Sequence, residues 1–254
     1  MSNSESTLQL QHWSNVECVR HLHLEAECIL VTQGTVHVLQ SGADTVLTAG
    51  EALFLKPLSI HGFHTPSNSY CTILIFPTDL VPDFAAARFS PSPFQPSEAL
   101  VKQLQNADVK ASEDLLHLRA LLYPLCCEIT DKTPSSAGNY TEDGTLNRVE
   151  QYIWENLSTS LSLKAVATAT GYNPSYLSRM FRQTKGVGYL EFVNMLRCGL
   201  AVRLLSSSDS MSVSEIAYQV GFESIRTFNR VFLQRYGITP TQMKQQKNAS
   251  LPMT

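Results

Sequence analysis

The strongest constraint on the fold is a duplication near the end of the chain. The segment LSLKAVATATGYNPSYLSRMFRQTKGVGY aligns with MSVSEIAYQVGFESIRTFNRVFLQRYGIT. Because a solenoid needs at least about three repeats, two copies indicate a duplicated supersecondary unit. Identical residues recur at an offset of 50, and of 51 after one insertion: Ser162/Ser212, Ala167/Ala217, Gly171/Gly221, Arg179/Arg230, Phe181/Phe232, Gln183/Gln234 and Gly186/Gly237.

Each copy has the pattern of two helices joined by a turn. The small alanine suits a helix crossing, the glycine permits the turn, and Tyr172 or Phe222 fills the junction. In the second helix of each copy, apolar residues recur at i and i+4, which predicts that this face lies in the core. The chain is therefore predicted to carry two helix-turn-helix motifs.

The residues between those apolar positions are predicted to point outward. Arginine and asparagine can make paired hydrogen bonds to guanine and adenine edges in the major groove, which accommodates an α-helix. The helical stretch 189–206 between the copies would span about 27 Å, comparable with the roughly 34 Å between successive major grooves. One chain is thus predicted to contact two adjacent grooves; the alternative is a helical bundle with a solvated basic face. The predicted outward residues are Ser175, Ser178, Arg179, Arg182, Ile225, Arg226, Asn229 and Arg230.

Charge separates this region from the rest of the chain. Residues 1–144 carry 7 Lys/Arg against 16 Asp/Glu, a net −9, whereas residues 145–254 carry 12 against 6, a net +6. Only the second half has the balance expected of a nucleic-acid-binding domain. The six cysteines contain no CxxC pair, which indicates reduced thiols and a cytoplasmic protein, and we expect neither export nor a membrane span.

The first half has the sequence pattern of several short β-strands followed by helices. Short β-prone runs between Val16 and Phe76 predict an antiparallel sandwich or small barrel, and the Pro-rich passage after them predicts irregular structure. A helix is predicted to begin at 112–114 and to kink or break at Pro124. Its apolar seam either packs on the sheet of the same chain or pairs with a second protomer: Leu115, Leu118, Leu122, Leu125 and Ile129.

Residues 145–247 resemble the DNA-binding domain of the AraC/XylS-type bacterial transcription regulators. The resemblance rests on GF-x5-F-x-R-x-F-x4-G-x-TP, from Gly221 to Pro240. It implies that Ser175, Ser178 and Arg179 contact bases in one motif and Arg226 and Asn229 in the other. Ile225 departs from the polar residue often found there, and Arg230 ranks below Arg226 because it can be structural in the family.

The resemblance implies an α+β fold, with a cupin-like β-barrel and dimerisation helices followed by two helix-turn-helix motifs on a linker helix. The predicted parts are an effector-binding and dimerisation domain (1–130), a linker (131–144), the DNA-binding domain (145–247) and a tail (248–254). The implied function is a ligand-responsive transcription activator, not an enzyme, that responds to a sugar or related metabolite. The implied partners are promoter DNA, the effector, a second copy of the chain and RNA polymerase, with no membrane.

One constellation in the first half could bind a metal or an effector. His21-x-His23-x3-Glu27-x6-Gly34 has the spacing of the first metal motif of metal-binding cupins, and strand alternation predicts His21 and His23 on one face. His61 or His64 could add a third imidazole for Zn, Fe, Ni or Mn, although Gly62 is displaced from the second cupin motif. The interpretations left open are a metal site, an effector pocket and core histidines; a metalloenzyme or metal sensor with a DNA-binding tail is the alternative function. No cofactor is assigned, and the candidate effector residues are Trp13, His21, His23, Glu27, His37, His61 and His64.

Overall fold

The computed structural model describes residues 8–40, 44–66, 68–85, 91–107, 114–133, 140–207 and 210–245. The chain divides into two compact units, Met1–Gly138 and Asn139–Thr254. The strands of the first unit are β1 (Gln9–Ser14), β2 (Glu17–His21), β3 (Ala26–Gln33), β4 (Thr35–Gln40), β5 (Thr45–Thr48), β6 (Ala52–Leu55), β7 (His61–His64) and β8 (Tyr70–Phe76).

These strands form two antiparallel four-stranded sheets, ordered β1-β8-β3-β6 and β2-β7-β4-β5. The predicted cupin-like architecture is confirmed. Strands β1, β2 and β7 were not among the predicted runs. Strand β1 is a half-exposed edge strand with a weak apolar pattern, and β7 has only four residues, including a glycine.

The Pro-rich passage is more regular than its composition predicts. It contains a 3₁₀ turn (Thr78–Leu80), the short helix α1 (Pro82–Ala85) and a bridge between Ala52 and Phe94. Phe84 and Phe94 are buried in the core formed with the sheet, so apolar anchors hold this segment in place despite its prolines.

Helices α2 (Glu98–Asn106) and α3 (Leu115–Lys132) follow. Of the predicted kink or break at Pro124, the break does not occur, because α3 continues through this residue. Proline removes the hydrogen bond to the carbonyl four residues earlier, that of Ala120. The Gln103 side chain on α2 donates to this carbonyl at 3.2 Å and replaces the lost bond. The cap of α3 is Asp114, which accepts from the Leu116 amide, whereas Ser112 and Glu113 lie outside the described residues.

The apolar seam of α3 packs on the sheet of its own chain. Leu122 and Leu125 are buried in one core with Cys28 and Phe54, and Leu118 packs against it. Of the two alternatives for this seam, packing on the sheet of the same chain is therefore the one found, and a dimer seam at Leu118, Leu122 and Leu125 is not, because the first unit's own core covers these residues. Leu115 is 46% exposed and lies outside this packing.

The second unit is helical. Its helices are α4 (Tyr140–Glu155), α5 (Leu163–Thr170), α6 (Pro174–Met180), α7 (Tyr189–Ser207), α8 (Val213–Gln219), α9 (Ile225–Tyr236) and α10 (Pro240–Gln245), and α6 continues as a π-helical turn, Phe181–Lys185. Helix α4 begins inside the predicted linker 131–144, whose residues 134–139 lie outside the described part. Within the described residues, no helix is both long and apolar enough to cross a membrane.

The two copies of the repeat have matching backbone hydrogen bonds. The amide of Tyr172 donates to Ala167 at 2.8 Å, and the amide of Phe222 donates to Ala217 at 3.0 Å. The glycine before each aromatic residue has a positive φ, +79° at Gly171 and +97° at Gly221. Two copies of one helix-turn-helix geometry, α5–α6 and α8–α9, are therefore present.

Candidate nucleic-acid interface and ligand-domain cluster

Helix α9 presents a polar face opposite a fully buried one. Phe228 and Phe232 are 0% exposed and pack in the core of the second unit. Arg226, Asn229 and Arg230 are exposed, and among the described residues they have no hydrogen-bonding or ionic partner. Ser224 caps the helix by accepting from the Thr227 amide at 3.2 Å. The side chains of Arg226, Asn229 and Arg230 are thus available to an external partner, and the helix that carries them is capped and packed on the core. Ile225 lies half-buried beside them.

Helix α6 repeats this arrangement in the first copy. Leu177 and Phe181 are 0% exposed. On the other side Ser175, Arg179 and Arg182 are exposed and Ser178 is half-buried. Seven of the eight residues predicted to contact DNA therefore lie on α6 and α9, and Arg182 lies on the π-helical turn that continues α6. None of the eight is in the apolar core.

The two motifs are joined by direct contacts as well as by α7. Arg197 on α7 donates through Nε to the Leu157 carbonyl at 3.2 Å and through Nη2 to the Thr159 carbonyl at 2.8 Å. Its guanidinium also lies 5.8 Å from the ring centroid of Phe222, in the turn of the second motif. Burial lowers the pKa of Arg197, but a guanidinium stays protonated in proteins. Arg197 thus connects the entry to the first motif with the turn of the second.

Glycine at 221 is required by close packing as well as by its backbone angle. A Cβ on Gly221 would lie 2.2 Å from the Leu157 carbonyl oxygen, whereas one on Gly171 would meet nothing within 4 Å. Sequence reasoning assigned both glycines to the turn alone. It also missed Arg197, whose only signal was a lone charge in the apolar stretch FVNMLRCGLAV.

In the first unit, four of the seven candidate effector residues converge. Ligand atoms of His21, His23, Glu27 and His61 all lie within 4.8 Å of one another. His21 on β2 and His61 on β7 are register partners, with ring centroids 4.4 Å apart, and Glu27 comes from β3 of the other sheet. His23 follows the end of β2, so the prediction that one strand face carries His21 and His23 is wrong. The irregular segment after β2, not strand alternation, brings the two rings to 5.6 Å.

The other candidates lie elsewhere. His37 and His64 are register partners on β4 and β7, with ring centroids 6.1 Å apart, and His64 is exposed. The third imidazole is therefore supplied by His61 and not by His64. Trp13 lies on β1, where its indole donates to Gln11 at 2.9 Å.

Electrostatics within the cluster centre on the buried Glu27. Burial alone would raise the pKa of its carboxyl group, but His61 and His23 hold that pKa below its ordinary value. Burial opposes protonation of His23, yet the hydrogen bond to Glu27 outweighs it and raises the pKa of His23. Burial lowers the pKa of His21 to about 3. The nearby Cys18 stays a thiol because burial, then Glu27, raise its pKa to about 12.

Two sequence families match the two units. The AraC-like ligand binding domain family matches residues 4–136, and a helix-turn-helix domain family matches residues 166–246. The regulatory protein PocR of Salmonella typhimurium is 32% identical over 161 residues, which are 58% of this chain and 52% of PocR. The chain thus spans about half of that relative.

Two further proteins match nearly the whole chain. The HTH-type transcriptional activator RhaS of Escherichia fergusonii is 25% identical over 250 residues, 91% of this chain and 89% of RhaS. The crystal structure of unsaturated fatty acid-bound ToxT from Vibrio cholerae has a TM-score of 0.67 at 12% identity and covers 96% of both chains, which shows a shared fold. With an AraC-like domain over half of its length, followed by a duplicated helix-turn-helix, this chain belongs to the AraC family of transcriptional regulators.

Proposed function

We propose that this protein is a sequence-specific DNA-binding activator that responds to a small molecule and inserts α6 and α9 into adjacent major grooves. The observation that carries the proposal is the pair of equivalent helices whose exposed Arg179 and Arg226 have no partner among the described residues. An exposed arginine gains little from other surface contacts, whereas a bidentate contact to guanine discriminates bases by about 1 to 3 kcal/mol.

The spacing of the motifs supports contacts in two grooves. Helix α7 has 19 residues and is about 28 Å long, which is close to the separation of successive major grooves. Arg197 and the close approach at Gly221 hold the motifs to each other, so the two recognition helices are presented together. Two recognition helices held in a fixed arrangement lose less conformational entropy on binding DNA than two independently moving helices would.

Activation and response to an effector rest on the relatives. RhaS is a transcriptional activator by name, and the family domain at residues 4–136 is a ligand-binding domain. We propose that the effector acts through the first unit by changing how the DNA-binding units of a cytoplasmic homodimer are presented to the promoter and RNA polymerase. Leu122 and Leu125 cannot form the dimer contact, because the sheet covers them. A sugar effector stays a prediction from resemblance.

We also propose that the protein is not an enzyme. The alternative of a cupin-type metalloenzyme with a DNA-binding tail needs a nucleophile or an acid/base pair beside the His/Glu cluster. Cys18, the nearest thiol, is buried and protonated. The relatives that match the chain are regulators.

Selection from randomised DNA with the full-length protein tests the proposal. We expect an enriched site with two conserved blocks about one helical turn apart for each bound chain. Arg226→Ala and Arg179→Ala should each weaken binding to that site by about 1 to 3 kcal/mol and relax one block only. Lys102→Ala, which removes one exposed charge from the first unit, is the matched control and should select the wild-type site. Equal losses on selected and random DNA would contradict base recognition.

A further inference from the structure

The three histidines of the cluster are oriented in the same way. His21 Nδ1 lies 3.0 Å from the Val19 carbonyl oxygen. His23 Nδ1 lies 2.9 Å from that of Glu25, and His61 Nδ1 lies 2.9 Å from that of Ser59. A carbonyl only accepts, so each Nδ1 carries the proton and donates it. Nε2 is therefore the ring nitrogen left to bind a metal after loss of any proton it carries, as in metal-ligating histidines whose tautomer a backbone carbonyl fixes.

Two of these Nε2 atoms face the carboxylate of Glu27. His23 Nε2 lies 2.8 Å and His61 Nε2 lies 3.3 Å from Glu27 Oε2. Among the described residues, His61 Nε2 and Glu27 Oε1 are buried without a hydrogen-bonding partner. Glu27 and His61 are each 1% exposed, so bulk solvent does not reach them. A buried carboxylate surrounded by imidazole Nε2 atoms favours a positive charge, which is either a proton on a ring or a metal ion that displaces that proton.

We propose that His21, His23, Glu27 and His61 bind one divalent transition-metal ion in the ligand-binding domain. Three imidazoles and one carboxylate suit Zn²⁺, Ni²⁺, Co²⁺ or Fe²⁺ better than the oxygen-seeking Mg²⁺ or Ca²⁺. Ligands on one such ion, with bonds near 2.1 Å, lie roughly 3.0 to 4.2 Å apart. The cluster already falls within 4.8 Å, so binding requires side-chain shifts of roughly half an ångström.

The position of the site connects it to effector binding. Its ligands come from both sheets, β2 and β7 on one side and β3 on the other, so an ion would link them. Glu27 and His61 are buried, while His21 and His23 are half-buried and form its solvent side. A six-coordinate ion bound by these four groups keeps two positions for oxygen ligands from outside the protein. The proposal goes beyond DNA binding and does not depend on it.

Metal titration of the untagged, full-length protein tests the site. After removal of metal with a chelator, Zn²⁺, Ni²⁺ and Co²⁺ are each titrated by calorimetry, and Co²⁺ binding is followed by its visible absorption. We expect one ion per chain and the absorption of an N/O-coordinated Co²⁺. Loss of an outer-shell partner costs about 10- to 100-fold in affinity, so Glu27→Gln and His21→Gln should each cost at least about 100-fold.

The pair of His37, which is half-buried, and His64, which is exposed, supplies a matched control in the same domain. The double variant His37→Gln/His64→Gln removes two imidazoles away from the cluster and should keep wild-type affinity and absorption. If circular dichroism shows that Glu27→Gln does not fold, the metal affinity of His21→Gln decides the test. His21 is half-buried at the solvent side of the cluster, so its replacement should leave the domain folded. The proposal would be overturned if folded variants of the cluster kept the wild-type metal affinity, or if the control variant lost as much affinity as they do. It would also be overturned if the wild type bound none of the three metals at micromolar concentration. DNA selection by the metal-free protein is scored separately, so failure of the metal site leaves the DNA-binding proposal intact.

Discussion

Replacement of Gly221 by alanine should damage the DNA-binding unit far more than the same change at Gly171. Both glycines have a positive φ, so either alanine costs about 1 to 2 kcal/mol for the left-handed backbone. At 171 the new Cβ meets nothing within 4 Å. The expected loss for Gly171→Ala is therefore about 1 to 2 kcal/mol in the free energy of unfolding.

At 221 the contact with Leu157 adds to that cost. The new Cβ would lie 2.2 Å from the Leu157 oxygen, whereas ordinary C···O contacts are about 3.3 to 3.6 Å, so the loop must move by about 1 Å. Overpacking of this kind costs about 1 to 3 kcal/mol. The same carbonyl accepts the hydrogen bond from Arg197, which the movement weakens. We expect Gly221→Ala to cost about 2 to 5 kcal/mol in total.

Fluorescence can follow this unit alone. The chain has two tryptophans, Trp13 in the first unit and Trp154 in the second. In a Trp13→Phe background, urea unfolding monitored at Trp154 reports the second unit. A domain is stable by about 5 to 15 kcal/mol, so a loss of 3 is easily measured. Equal losses for the two glycine variants would refute the packing of the second turn on the entry to the first motif.

Three further predictions concern stability. Leu122→Asp should unfold the first unit, because it places a charge at a 0% exposed core position, whereas Leu116→Asp, at 72% exposed, should leave its circular dichroism melting curve unchanged; a folded, monomeric Leu122→Asp would instead support the dimer seam. Arg197→Met should lower the stability of the second unit by about 1.5 to 3 kcal/mol in urea, because two carbonyls lose a charged donor; an unchanged midpoint would show that the bridge is not stabilising. Ser212→Ala removes the cap of α8 and should cost about 1 kcal/mol in the same assay, with no loss for the exposed Ser214→Ala.

The duplicated motif could be predicted from the sequence because its determinants are local. The turn glycines, the i and i+4 aromatic residues and the serine caps each act within a few residues of their own position. The linker helix between the two motifs, 19 residues long in the structure, was predictable for the same reason.

Features that depend on distant contacts were missed or left undecided. The continuity of α3 depends on a side chain of α2 that satisfies the carbonyl freed by Pro124. The partner of the apolar seam could not be chosen, because a heptad pattern is the same whether a sheet or a second helix covers it. Strand β7 has too few residues to show a period.

The metal-type spacing of His21, His23 and Glu27 was visible in the sequence, but the choice of His61 over His64 was not. The two histidines are three residues apart on one strand, so their side chains point to opposite faces. Only the pairing of β7 with β2 shows that His61 lies opposite His21. The common orientation of the three rings depends on backbone carbonyls, which carry no sequence signal.

The measurement that tests the central claim most directly is base-resolved footprinting of the selected site by the wild type and two single variants. The wild type should protect guanines in two major-groove segments about 10 base pairs apart on one face of the DNA for each bound chain. Arg179→Ala should remove protection in one segment and Arg226→Ala in the other, each with the remaining segment kept at higher protein concentration. Loss of both segments together in each variant, or loss of neither, would contradict the claim that α6 and α9 bind separate grooves.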